Sequence, residues 1–404
     1  MIRHSGNADI TRSAILAHLG ASGQASRADL ARALGVSPAL MTQLTKDLIA
    51  DGLIRELDMS PSNGGRPARL LGLAASAGRV VGLKISKDHV AFVETELSGL
   101  VTRADSEPFD ASSVTFLADL VSLIGAFVNQ GDNGPLLGIG VGVPGSVDAQ
   151  GSGVVDSSLL GWNRVPLGAI LSRELGVPVL IENNVNALAV AERLYGAGRQ
   201  HAEFIVVTIG EGVGAGFVTG GAVVRGSRGG TGEIGHIPVS TEGPLCTCGN
   251  IGCIEAVIGE AALVAHARQA GIIAPEATMA DLQEKANEND PLALDIFRGA
   301  GHPFGRVVAG MVQVLDPEIV IISGEGTRAW EHWAPGFDRS FRAALTADRR
   351  SIPVIVESWE DEAWARGAAA LVASAPFYNK ESSGEQGRLV RARLTNVSRE
   401  VVRS

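Results

Sequence analysis

The chain has 404 residues, a formal net charge of -10, 51 glycines and only three cysteines. That length allows about two or three domains with a sizeable core. The acidic balance excludes a protein that coats nucleic acid over its whole surface, while leaving room for one local DNA-binding module. Met1 to Thr11 has no apolar signal core, and no apolar run reaches membrane-spanning length. A cytoplasmic protein with no membrane partner is expected.

The first seventy or so residues read as a compact unit. Ile10, Ala14, Ile15 and Leu19 form a helical stripe. Ser26 is a candidate N-cap for a helix over Arg27–Leu34, and Gly35 breaks the chain after it. Ser37-Pro38 opens the next helix with a cap and a proline at the first position. That helix is expected to bury Leu40, Met41, Leu44 and Leu48 and to end near Asp51-Gly52. Its outward face would carry Ser37, Ala39, Thr42, Gln43, Thr45 and Lys46. Small and hydrogen-bonding groups of this kind suit base edges and phosphates. Helix, short glycine turn, helix is the helix-turn-helix pattern. Leu53–Glu56 and Ala68–Leu71 can pair as a hairpin whose tip, Ser60 to Pro67, makes a wing. Arg66 and Arg69 on that wing fit a narrow minor groove. Through Leu71 there are eight Lys/Arg against six Asp/Glu, so this segment is +2 and the remainder -12. The local excess is modest, and charge alone does not separate DNA binding from a small helical interaction domain.

Residues 79 to 376 contain an internal echo. A β-rich stretch with a glycine-bearing turn opens each half, at Arg79 to Arg103 and at Glu203 to Arg225. A strand then runs into a Gly-rich turn, at Leu136 to Gly145 and at Glu318 to Gly326. A Pro-Val strand with an acidic end follows in each half, Val177 to Glu182 and Ile352 to Glu357, leading into Ala-rich helices at Asn186 to Leu194 and Asp361 to Ala373. Helices at Ser113–Val128, Glu260–Ala270 and Pro291–Leu315 would cover the sheets. Such recurrence implies two similar α/β lobes, and a cleft between lobes is where ligands bind. Asn379 to Ser404 is polar and charged, and is expected to be a flexible tail. Leu389, Val390, Leu394, Val397 and Val401 give it at most a weak helical stripe.

All three cysteines fall in one stretch, Cys246, Cys248 and Cys253, with His236 ten positions before the first. Four soft or borderline ligands this close suit a tetrahedral Zn2+ site, and four protein ligands leave no open position, so the zinc would be structural. Cys246 and Cys248 are too close to pair easily as a disulfide, and an odd cysteine would remain. Chance clustering of core cysteines is the plainer alternative. Gly249 and Gly252 let the backbone fold tightly between thiolates. Glu233 and Glu255 flank the set.

Taken together, Gly232-Glu-Ile-Gly-His236, Cys246-x-Cys248-Gly-x-x-Gly-Cys253-x-Glu255 and Val143-Pro144-Gly145 resemble the ROK family of repressors, open reading frames and sugar kinases. The N-terminal module ending in Gly65-Arg66-Pro67 looks like the winged helix of its transcriptional-regulator branch. The resemblance covers about residues 8 to 376. It implies an N-terminal winged helix-turn-helix followed by an actin-like, sugar-kinase two-lobe α/β fold with a structural zinc site. The expected domains are 1–73 for the winged helix, 79–190 plus 362–378 for one lobe, 191–361 for the other, and 379–404 for the tail. It also implies zinc on His236, Cys246, Cys248 and Cys253, and a sugar or sugar phosphate on Asn183, Asn184, Glu233, His236 and Glu255 with backbone near Gly145. His236 would then do two jobs, with one ring nitrogen on zinc and the other toward a sugar hydroxyl.

The pattern departs from the family's kinases where phosphate or protons are handled. Kinases of the family carry Asp-x-Gly-Gly-Thr in the first β-turn; here the aligned residues are Lys84-Ile85-Ser86-Lys87-Asp88. Their base is the Asp of an Asn-Asp pair, which reads Asn183-Asn184 here, and an amide cannot accept a proton at neutral pH. The loop Thr208 to Gly214 keeps its glycines but places Glu211 where phosphate would lie, and Ser323-Gly324-Glu325-Gly326 keeps two. No catalytic residue is therefore expected. The reading is a sugar-responsive, DNA-binding transcriptional regulator acting as a repressor, a homodimer or homotetramer on double-stranded operator DNA. DNA would be contacted by Ser37, Pro38, Thr42, Gln43, Lys46 and Arg66. The enzymatic alternative is an ATP-dependent sugar kinase with a DNA-binding domain.

Overall fold

The computed structural model describes residues 11, 12, 15, 16, 18, 19, 23–50, 52–59, 68–74, 77–131, 134–148, 152–357, 361–375 and 384–401. Ile10, Ala14 and the wing tip, residues 60–67 with Arg66, lie outside them. The chain divides into two compact units, one of residues 1–199, 227–229 and 361–404, the other of 200–226 and 230–360. The first therefore runs past the expected boundary at 190, because the helix that begins at Asn184 continues unbroken to Tyr195.

The first unit begins with the winged helix. Residues 11, 12, 15, 16, 18 and 19 are helical, with Ile15 and Leu19 buried. β1 (Ala25–Ser26) leads into α1 (Arg27–Leu34), where Ser26 Oγ caps the helix by accepting from Asp29 N–H at 3.2 Å. Gly35 closes α1 in the left-handed region at φ 63°. Ser37 Oγ accepts from Leu40 N–H at 3.3 Å at the start of α2 (Pro38–Ala50). β2 (Ile54–Met59) and β3 (Arg69–Leu73) pair antiparallel, and β1 adds to β3. Two expectations for α2 need correction. Leu40 is exposed, whereas Thr45 is fully buried, its hydroxyl donating to Met41 O at 2.8 Å. Met41, Leu44, Thr45 and Leu48 form the inward stripe at helical spacing, and Leu40 lies just off its edge.

Next come β4 (Arg79–Ile85), β5 (His89–Glu96), β6 (Val101–Pro108), α3 (Phe116–Asn129), β7 (Leu136–Val143), the small strands β8 (Ser146–Val147), β9 (Val155–Ser157) and β10 (Trp162–Val165), α4 (Leu167–Leu175), β11 (Val179–Asn183) and α5 (Asn184–Tyr195). The main sheet has the order β11-β7-β4-β5-β6, with β11, β7 and β4 parallel and β5 and β6 antiparallel additions. The second unit contains β12 (Phe204–Ile209), β13 (Val213–Thr219), β14 (Ala222–Val223), α6 (Ile254–Ile258), α7 (Glu260–Gln269), α8 (Met279–Asn287), α9 (Pro291–Leu315), β15 (Ile319–Ser323), α10 (Trp330–Ala344) and β16 (Val354–Val356). Its sheet, β14-β13-β12-β15-β16, repeats the same plan: three parallel strands with an antiparallel pair on the first. The echo read from the sequence is thus a repeated topology. Phe297, Phe304, Trp333, Phe337 and Phe341 of α9 and α10 fill the core of this unit.

After β16 the chain returns to the first unit as α11 (Asp361–Ser374) and α12 (Gly384–Val401). α11 lies directly on the sheet through two glycines. A Cβ on Gly140 would stand 1.8 Å from Ala368 O, and one on Gly82 would stand 2.1 Å from Ala365 O. The segment expected to be a flexible tail is instead the helix α12. Its Val390 and Leu394 are buried, Gln386 Oε1 accepts from Val179 N–H at 3.2 Å, and Arg393 donates to Leu136 O and Gly176 O at 3.0 and 2.9 Å. Gln386 thereby satisfies an N–H of the edge strand β11, which a sequence pattern confined to the helix does not reveal.

One apolar core runs from Ile15, Leu30, Met41 and Leu71 of the winged helix through Ala74 and Ala77 to Val80 and Val93, and on to Ala369, Val390 and Leu394. The DNA-binding module and the sheet are therefore packed as one body. Among the described residues no helix is long and apolar enough to cross a membrane. Gly140→Ala forces a methyl group into the Ala368 carbonyl, so it should lower unfolding free energy by about 1–3 kcal/mol, the usual cost of overpacking, read by chemical denaturation. Gly125→Ala, at an open position of α3 with nothing near its Cβ, serves as the control and should not destabilise.

Candidate metal centre and neighbouring site residues

The residues between β14 and α6 form a loop folded back on itself. Val239 N–H donates to Gly252 O at 2.8 Å, Cys246 N–H to Asn250 O at 2.8 Å and Gly252 N–H to Pro244 O at 2.9 Å, while Pro238 pairs with Cys253 and Leu245 with Ile251. Gly252 is required where it stands: its φ is +72°, and a Cβ there would lie 1.9 Å from Ser240 O. This folding brings His236, Cys246, Cys248 and Cys253 together, with one ligand atom from each and all four within 4.8 Å of one another. Cys248 Sγ and Cys253 Sγ are 3.6 Å apart, and Cys246 Sγ is 3.5 Å from His236 Nδ1.

The cysteines are thiols and form no disulfide. The sulfur separations fit tetrahedral coordination, in which ligands at about 2.3 Å from an ion stand somewhat under 4 Å apart. The cluster could hold a metal ion. Burial, with the neighbouring thiols adding to it, pushes the Cys253 thiol up to about 12. A hydrogen bond from the Asn250 backbone pulls Cys248 down. A cation in the cluster would stabilise both as thiolates, which is the chemistry this donor set supplies.

With Nδ1 toward Cys246, the His236 ring turns Nε2 toward Glu233, 3.9 Å from its Oε2. Burial raises the Glu233 pKa, His236 opposes that rise and Glu255 adds to it. Glu255 Oε2 accepts from Val213 N–H at 3.0 Å, so one of its oxygens is committed to the β12–β13 turn. Glu233 thus has His236 and Glu255 as neighbours in the second unit.

Gly145, Asn183 and Asn184 belong to the first unit. Gly145 has φ +105° in the turn after β7, and its carbonyl accepts from Asn183 Nδ2 at 2.8 Å. Asn183 Oδ1 caps α5, accepting from Val185 and Asn186 N–H at 2.9 and 3.1 Å. Asn183 therefore has a structural role that motif matching did not reveal, and keeps one Nδ2 hydrogen to offer. Asn184 Oδ1 accepts from Val185 N–H at 3.0 Å.

The stretches expected to depart from kinase phosphate loops carry charged side chains. Lys84 holds its ammonium 5.0 Å over the Trp364 ring, and Asp88, in the β4–β5 turn, bonds His89 Nδ1 at 2.7 Å. In the second unit Glu211, Glu260 and Glu325 gather beside Gly210. Glu260 N–H donates to Gly210 O at 2.9 Å, and the Glu260 carboxyl is raised by burial, then by Glu325 and Glu211, against Arg328. Glu260 was missed in the sequence because it opens the helix α7 and belongs to neither of the glycine turns that carry Glu211 and Glu325.

On the DNA-facing module, Thr42, Gln43 and Lys46 are exposed on α2, as are Ser37 and Pro38 at its start. Gln43 Nε2 bonds Asp47 Oδ1 at 3.0 Å and Thr42 Oγ1 bonds Pro38 O at 2.8 Å.

The ROK family model matches residues 81–375, and a MarR family model matches residues 9–61. The DNA-binding transcriptional dual regulator NagC of Escherichia coli K12 is 29% identical over 382 residues, covering 91% of this chain and 94% of that protein. The xylose repressor of Bacillus subtilis 168 is 29% identical over 300 residues, covering 74% and 77%. A solved ROK family transcriptional regulator, described as a homologue of E. coli MLC, superposes with a TM-score of 0.79 at 26% identity, covering 96% of this chain and 99% of that one. A ROK family glucokinase from Streptomyces griseus, solved with glucose and AMPPNP, gives 0.66 at 27% identity, covering 73% and 99%. With the repeated sheet, the winged helix and the His/Cys cluster in place, this chain is a member of the ROK family.

Proposed function

We propose that the protein is a sugar-responsive repressor that binds operator DNA through its winged helix and has no sugar-kinase activity. The observation that carries this is the joint presence of a winged helix packed into the first unit's core and of carboxylates at the turns where a kinase would need to receive phosphate. The relatives of nearly full length are repressors or regulators, which supports the same reading. DNA contacts are assigned to Ser37, Pro38, Thr42, Gln43 and Lys46, with Arg66 on the wing. An even-numbered homo-oligomer would present two such modules to a palindromic site.

The effector is a sugar or sugar phosphate. Within the second unit its hydroxyl-binding groups are Glu233, His236 and Glu255; Asn183, Asn184 and the backbone at Gly145, in the first unit, are proposed separately as sugar-binding groups. The metal is zinc, held by His236, Cys246, Cys248 and Cys253. It supplies a fixed point for the loop and the orientation of the His236 ring, which leaves Nε2 and the Glu233 carboxylate available as partners for a diol.

The absence of kinase chemistry rests on Asn184, whose amide cannot take a proton from a hydroxyl, and on Glu211, Glu260 and Glu325, whose charge opposes a polyphosphate. In a coupled assay with ATP, a panel of hexoses and N-acetylhexosamines should give no turnover above background; turnover at the rate of a dedicated sugar kinase sinks the proposal. Asn184→Asp alone should leave that result unchanged, because the carboxylates remain. Cys253→Ser should abolish bound zinc, measured by elemental analysis, and lower the thermal midpoint; a zinc content near one per chain in that variant would disprove the ligand set. Glu233→Gln should remove the thermal shift given by whichever of N-acetylglucosamine, xylose or their phosphates stabilises the wild type, while DNA affinity stays the same.

A further inference from the structure

In the winged helix one carboxylate gathers two guanidinium groups from different elements. Glu56 on β2 accepts from Arg27 Nη2 through Oε1 and from Arg69 Nη1 through Oε2, both at 2.8 Å. Arg27 opens α1 and Arg69 opens β3. Arg27 is fixed a second time, because its Nε donates to Thr45 Oγ1 of α2 at 3.0 Å. The anion therefore ties α1 to both wing strands, Arg27 alone extends the network to α2, and the two arginines hold the Glu56 carboxyl below its usual range, Arg69 more than Arg27.

Stability alone does not account for the arrangement. Partly exposed ion pairs contribute at most about 1 kcal/mol and cost side-chain entropy. What the arrangement does fix is two cations side by side. A guanidinium has donors on three nitrogens. Among the described residues Arg27 leaves Nη1 without a partner, and Arg69 leaves Nε and Nη2. The Arg27 and Arg69 side chains are 28% and 57% exposed. The triad as a whole is +1. Other cations of the module are held differently: among the described residues Arg32, 78% exposed, pairs with Asp29 on its own helix, while Lys46 and Arg55 stand exposed on α2 and β2.

We infer that Arg27 and Arg69, set side by side by Glu56, are a phosphate-binding pair that anchors the winged helix to the backbone of duplex DNA. The inference rests on the DNA-binding reading above and adds to it residues that carry affinity rather than sequence choice. Guanidinium groups already immobilised lose little entropy on meeting a phosphate, and their planar donors suit its oxygens. Arg69 thereby moves from a minor-groove reader to an anchor at the base of the wing.

The test uses the full chain and a labelled short duplex of random sequence, titrated at several salt concentrations. Arg27→Gln and Arg69→Gln should each weaken binding and flatten the slope of log Kobs against log salt by about one. Arg69→Lys, which keeps the charge, should keep the wild-type slope, and Arg32→Gln should leave it unchanged. Weaker binding at an unchanged slope in both Gln variants would show that the network only braces the fold. Equal flattening in Arg32→Gln would reduce the effect to general charge; either result overturns the pair. If Arg27→Gln does not fold, Arg69→Gln decides alone, since its one bond is to Glu56. A wild-type protein that binds no duplex at any salt would overturn the DNA-binding reading itself, whereas wild-type binding with unaltered variants overturns only the pair.

Discussion

The loop that carries His236, Cys246, Cys248 and Cys253 depends on the convergence of those four side chains. It has little core of its own: Ile237, Val239, Leu245 and Ile251 are exposed, while Cys253 and Cys246 are buried. In most loops of this length apolar burial would set the conformation. Here four donor atoms lie within 4.8 Å of one another, a set that a bound cation would hold together as thiolates and imidazole. The orientation of His236 follows from the same convergence, since the nitrogen turned away from Cys246 is the one that meets Glu233.

A second constraint acts in the first unit. α11 approaches the sheet at backbone contact because Gly82 and Gly140 have no side chains to hold it off. That approach brings Ala365, Ala369 and Val372 into the core that also contains the winged helix and the two buried residues of α12. A module packed in this way shares its stability with the sheet. The contact between that sheet and α1 and α2 is made through close-packed side chains of one apolar core.

The charges divide along functional lines. At the turns matched to phosphate loops the chain places Glu211, Glu260 and Glu325, and in the first unit a lysine stacked on Trp364. In the winged helix it places arginines around a single glutamate. Within one acidic chain, carboxylates gather beside Gly210 while a pair of arginines is gathered on the winged helix. That distribution agrees with regulation rather than phosphoryl transfer as the proposed role.

The sequence by itself determined a good deal. The caps Ser26 and Ser37, Pro38 and Gly35 set the helix boundaries of the winged helix, because capping is local chemistry. The repeated strand pattern foretold two sheets of one topology, and cysteine spacing with two glycines foretold the cluster. Only the tertiary structure decided the rest. Asn183 proved to be the cap of α5 and the partner of Gly145, a contact made across the fold. Thr45 lies on the inward stripe with Met41, Leu44 and Leu48, where its hydroxyl accepts from Arg27 Nε, eighteen residues away. The polar C-terminal segment became a helix docked on the first unit, where Gln386 and Arg393 found main-chain partners on β11, β7 and the end of α4. Glu260 joined Glu211 and Glu325 for the same reason: long-range partners are set by packing, and a one-dimensional pattern records only the local half of each contact.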